Sequence, residues 1–171
     1  MLLFCICTIC FAKNAQHVDS DSERLHAKIA ELSKILQKNP NDYQSEYRRA
    51  MCYLQLHDYP SAISDFTKSI EVSRSILRSN SKPGVNKSPT LFYLAISYQN
   101  RGSTYLRMDE YQKGVHDLTR AIDIRPSYAP NYKTRAMILE KLGDLTGAKA
   151  DYEKYNGLVY SKQLGLNQEK R

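Results

Sequence analysis

Three times along this chain an Arg is followed 16 residues later by an Asp: Arg49 and Asp65, Arg101 and Asp117, Arg135 and Asp151. A guanidinium and a carboxylate at fixed spacing could grip a substrate or grip each other. So regular a recurrence points to one structural cause, an ion pair between the facing helices of a repeat or between its second helix and the first of the next, in which losing one buried partner is costly. The other reactive side chains do not assemble. His17, His26, His57 and His116 fall in separate segments without a second ligand at metal spacing. His116 adjoins Asp117, but sequence neighbours on a helix do not face each other. Cys5, Cys7 and Cys10 lack a partner cluster, and Cys52, between Met51 and Tyr53, reads as a small buried hydrophobe. There is no phosphate-cradling Gly-rich loop and no dinucleotide fingerprint. The expectation is a protein that is not an enzyme and needs no metal or cofactor.

The elements that position those pairs repeat with them. Arg101, Gly102, Tyr105, Tyr111 and Leu118 recur 34 residues later as Arg135, Ala136, Leu139, Leu145 and Tyr152. They occur 52 residues earlier as Arg49, Ala50, Tyr53, Tyr59 and Phe66, so an 18-residue insertion separates the first copy from the second. Each copy reads as two short amphipathic helices, A and B, and a period in this range means a stack of helical hairpins. At 171 residues and 42% hydrophobic, the chain is one domain with enough apolar sequence for a continuous core.

The repeated pattern resembles the tetratricopeptide repeat: a small residue with Tyr three further on, an acid before Tyr, a later aromatic or Leu, and a closing Pro126. The resemblance covers about Asn41 to Tyr155 and implies an all-α, right-handed solenoid whose concave face holds a segment of another protein. The expected units are a leading helix at 20–39, repeats at 41–78, 91–126 and 127–160, a basic insertion loop at 79–90 and a tail at 161–171. Ser20 and Glu23 have capping-box spacing for the leading helix, and Ser88 reads as the cap of a later helix with Pro89 at its first helical position. Asn156 and Gly157 would end the last helix, with Leu158, Val159, Leu164 and Leu166 folding back as a cap.

Residues 1–12, MLLFCICTICFA, are apolar and uncharged, too few to span a bilayer, which takes about 20. They match the apolar core of a secretory signal within 1–15, with a cut after Ala12 or Ala15. Export is therefore expected, with a cytoplasmic location as the alternative. Charge is uneven: the net +7 arises almost wholly between Val72 and Met108, which holds no acid and six cations. Arg74, Arg78, Lys82 and Lys87 form a basic edge that could attract an acidic partner, anionic lipid or nucleic acid, or could only aid solubility.

On helix A, the face turned from helix B carries Tyr47, Met51 and Gln55, then Gln99, Ser103 and Arg107, then Lys133, Met137 and Lys141. This mixture suits a partner peptide or helix with acidic and apolar positions. The family's carboxylate clamp for chaperone C-termini would fall on Tyr47, Met51, Asn100, Pro130 and Thr134; only Asn100 matches, so that use is not expected. A cytosolic adaptor or co-chaperone is one alternative. An RNA-binding array is another, disfavoured because the cations gather at one edge instead of tracking the groove.

Overall fold

The computed structural model describes residues 4–79 and 87–164. Among the described residues there are seven helices and no strand: α1 (Phe4–Lys38), α2 (Tyr43–Gln55), α3 (Tyr59–Ser79), α4 (Ser88–Arg107), α5 (Tyr111–Ile124), α6 (Ala129–Lys141) and α7 (Leu145–Gln163). Each helix packs on the next in chain order, and α2 also meets α4, as α4 meets α6. The even-numbered helices therefore line the inside of a curve, while α3, α5 and α7 lie on the outside, their backbones kept apart from one another.

The hairpins α2–α3, α4–α5 and α6–α7 turn the same way for the same local reason. Each turn places one residue in the left-handed region: His57 at φ 59°, Asp109 at φ 58° and Gly143 at φ 81°. These lie 52 and 34 residues apart, the spacing of the repeats themselves. Carboxylates start several helices. Asp42 accepts from the Gln44 and Ser45 amides, and Asp144 from the Gly147 amide at 2.8 Å, satisfying donors that the first turn leaves free. Within a hairpin the axes meet at small residues 12 apart, Ala50 with Ala62 and Ala136 with Ala148, all buried. In the middle hairpin both are glycines: a Cβ on Gly102 would lie 3.2 Å from the Gly114 carbonyl oxygen, and one on Gly114 2.7 Å from Ile138 Cδ1.

The core is layered. Ala50, Ala62 and Phe66 form one cluster, with Tyr47, Met51, Tyr53 and Leu54 packed on it. Ile70, Leu94, Tyr98 and Ala121 form the next, with Leu77 and Ile124. The long α3 and α4 frame the insertion; Lys82 lies outside the described residues.

Three boundaries differ from expectation. Helix α1 does not begin at Ser20 but runs unbroken from Phe4, because no Gly or Pro interrupts 4–38. Helix α4 includes Ser88, with Lys87 at its N-cap position and Pro89 within its first turn. Helix α7 continues through Asn156 and Gly157 to Gln163, so Leu158 and Val159 do not fold back. A glycine inside a helix costs only about 1 kcal/mol, and nothing packs against Gly157 to favour a turn there. Leu164 is consequently exposed, and Leu166 lies outside the described residues.

Candidate functional site

The three Arg–Asp pairs hold the inner helices to the outer ones. Arg49, Arg101 and Arg135 each grip their Asp through two nitrogens: Asp65 at 2.7 and 2.8 Å, Asp117 at 2.6 and 2.9 Å, Asp151 at 2.7 and 2.8 Å. The third nitrogen reaches back to a hydroxyl on the preceding outer helix: Ser33 at 3.0 Å, Thr67 at 2.8 Å and Thr119 at 2.9 Å. Ser33, Thr67 and Thr119 share the repeat register, so α1 occupies the place of an outer helix before the first hairpin. These side chains are committed to one another and stitch the layers together.

Alongside this scaffold the structure gathers a feature that sequence spacing does not disclose. Four before Ala50 stands Glu46, where the later repeats have Tyr98 and Tyr132. Glu46 is buried on the Asp65 carboxylate, 3.3 Å from Arg49 Nη2. Burial, then the charge of Asp65, pushes its carboxyl up to about 7. Cys52 is also buried, which raises its thiol and leaves it a packing residue. Among the described residues no His, Cys, Asp and Glu group could hold a metal.

The inner surface is built from α2, α4 and α6. Tyr47 and Met51 are half-buried, Met51 against the Ala50–Phe66 cluster; Gln99 and Ser103 are half-buried; Gln55, Arg107, Lys133 and Lys141 are exposed. Met137, 42% exposed, is the apolar group here most open to a ligand. Lys133 Nζ sits 5.6 Å from the Tyr155 ring centre. An aromatic wall closes one end: Tyr93 meets Tyr43 and Tyr47 edge-on at 5.5 Å and Phe92 at 5.7 Å, while Arg125 lies over both Phe92 and Tyr128. Tyr93 precedes the repeat pattern on the extension of α4, so register alone does not put it here.

The clamp positions are occupied by other interactions. Asn100 Nδ2 donates to the Tyr47 hydroxyl at 3.1 Å and to the Ile96 carbonyl at 2.9 Å, and Thr134 Oγ1 donates to the Pro130 carbonyl at 3.1 Å. Of the basic edge, Arg74 and Arg78 are exposed on α3 and Lys87 is half-buried at the start of α4.

Hairpins stacked in this register around an inner groove define an all-α helical-repeat scaffold, a class that serves protein–protein interaction. Residues 95–128 and 129–158 match the tetratricopeptide repeat, and these two hairpins are similar to repeats of that family. It is 25% identical over 152 residues to the TPR repeat-containing thioredoxin TDX of Arabidopsis thaliana, covering 89% of this chain and 35% of that protein. It is 32% identical over 101 residues to serine/threonine-protein phosphatase 5 of Homo sapiens, covering 59% and 17%. The chain thus spans well under two thirds of the length of these relatives. Among solved structures, the second TPR of Spaghetti (RPAP3) bound to the HSP90 peptide SRMEEVD superposes with a TM-score of 0.55 at 27% identity, over 71% of this chain and 96% of that one. BtubC from P. vanneervenii shares the fold, with a TM-score of 0.67 at 16% identity over 87% and 60%.

Proposed function

We propose that the protein is a non-enzymatic scaffold that takes an extended peptide or a helix of a partner protein in the groove of α2, α4 and α6. What supports this reading is the exposure of Met137, Lys133 and Lys141 on α6 and of Arg107 on α4, with the packed tyrosines Tyr43, Tyr47 and Tyr93 between α2 and α4. Met and Tyr supply adaptable apolar contact, and the cations select acidic positions on the ligand. The peptide in the Spaghetti structure supports the idea that an array of this kind holds a linear segment. It does not extend to the same peptide here, since Tyr47, Met51, Pro130 and Thr134 offer no cation for a terminal carboxylate.

The test is capture from native extract with the full chain as bait. A stoichiometric partner is expected, and Gln99→Ala, Arg107→Ala and Lys133→Ala together should abolish its retention without lowering the melting temperature. Retention unchanged by the triple variant would overturn the groove assignment. A labelled SRMEEVD peptide should not bind; saturable binding would favour the co-chaperone reading instead.

The apolar residues 1–12 support placing this scaffold in an exported or envelope complex. Intact mass of the native protein is expected to show loss of the residues up to Ala12 or Ala15. A full-length chain in the cytosol would turn the reading to a cytosolic adaptor.

A further inference from the structure

Between α3 and α5 the back of the array opens into a cleft of about 310 Å³ with α4 at its bottom. Its floor is apolar, made by Leu94, Tyr98 and Ile124, and its rim carries Arg74 from α3 with His116, Arg120 and the Asp123 carboxylate from α5. Contrary to the expectation that sequence neighbours on a helix do not meet, His116 Nδ1 lies 3.2 Å from Asp117 Oδ1. Among the described residues Arg74 makes no ion pair and Arg120 reaches only Asp123, at 3.7 Å with both side chains more than half exposed, a pair that an incoming anion displaces at little cost. A second cleft of about 300 Å³ shares His116 and adds Lys113, Gln112 and Tyr105. Its other cations are spoken for: Arg101 grips Asp117, and Lys113 pairs with Glu110. Of the two clefts, the first is the one that holds a guanidinium without an ion pair among the described residues, that of Arg74, beside the weakly paired Arg120.

We infer that this outer cleft is a binding site for an anionic group carried on an aromatic or aliphatic body, an aryl phosphate being the chemistry that fits best. Two guanidiniums on separate helices can each fork onto the oxygens of a phosphate, which a single lysine cannot do. The body behind the phosphate lies on the apolar floor, so recognition needs both halves of the ligand. None of the residues assigned to the groove lines this cleft.

The experiment is a titration of the full chain with phenyl phosphate at constant ionic strength, read by nuclear magnetic resonance at the Arg side-chain Nε–H groups and the His116 ring. Saturable shifts are expected at Arg74, Arg120 and His116, at least tenfold weaker binding for Arg74→Gln with Arg120→Gln, and weaker binding for inorganic phosphate than for phenyl phosphate. Both arginines are exposed, and an unchanged melting temperature verifies that the variant is folded. A capped phosphotyrosyl tripeptide run in parallel distinguishes the sources. Tighter binding than phenyl phosphate assigns the site to a modified polypeptide, and equal or weaker binding assigns it to a free small anion. No saturable shift, or equal binding by the double variant, overturns the site; inorganic phosphate binding as well as phenyl phosphate overturns the role of the apolar floor.

Discussion

Glu46 and Asp65 are two buried carboxyl groups that share a single guanidinium, that of Arg49, at the junction where α1 joins the array. Around them stand Arg49 on α2, Lys68 on α3 and the Ser33 hydroxyl on α1. One guanidinium cannot neutralise two carboxylates, so the Glu46 carboxyl is held up to about 7, chiefly by burial and then by Asp65. A raised acid stabilises the fold where it stays protonated: its contribution is full below the unfolded value of 4.5, falls as pH rises, and is gone above about 7. Glu46→Gln keeps the shape and removes the ionisation. Its melting temperature relative to the parent should therefore climb between pH 5 and pH 8; parallel curves over that range would show that Glu46 does not titrate there.

Arg101 is the most deeply set of the three stitching arginines, its side chain 14% exposed and that of Asp117 2%. Arg101→Ala strands a buried carboxylate and should cost about 3–5 kcal/mol in urea unfolding. Thr67→Val removes only the hydroxyl that Arg101 reaches on α3 and should cost about 1 kcal/mol. Equal losses from the two changes would mean that the pair with Asp117 carries no special weight.

Gly143 turns α6 into α7 at φ 81°, with open space where a Cβ would stand. Gly143→Ala should therefore destabilise by about 1 kcal/mol through the backbone alone. His57 holds the equivalent turn at φ 59°, so His57→Gly should leave stability unchanged or slightly raised. Calorimetry on the two variants tests the contrast, and a loss at His57 as large as that at Gly143 would refute it.

Asn131 is buried, and neither of its side-chain polar atoms finds a hydrogen-bond partner among the described residues. At the equivalent place between the first two hairpins, Ser97 Oγ meets Ser69 Oγ at 3.0 Å, and Ser69 also donates to the Tyr43 carbonyl. The counterpart of Ser69 is Ala121, which has nothing to offer. Installing the serine pair with Ala121→Ser and Asn131→Ser should gain about 1 kcal/mol in denaturant unfolding. A net loss would show that the amide's volume matters more there than its unmet hydrogen bonds.

What the sequence determines here is whatever repeats. The spacing of Arg49, Arg101 and Arg135 from their aspartates, and of Ala50, Gly102 and Ala136 along the inner helices, is legible because each hairpin must solve the same packing problem in the same register. What breaks the repeat needs the third dimension. Glu46 stands where a tyrosine does in the later hairpins, and only its burial on Asp65 turns that difference into a titrating carboxyl. Tyr93 reaches Tyr43 and Tyr47 across two helices, and Arg74 comes to the same cleft as Arg120 from 46 residues away. The ends show the same division. Spacing marks Ser20 and Gly157 as helix boundaries, yet α1 and α7 run through both, because a stop signal acts only where the surrounding packing favours a turn over one more helical hydrogen bond.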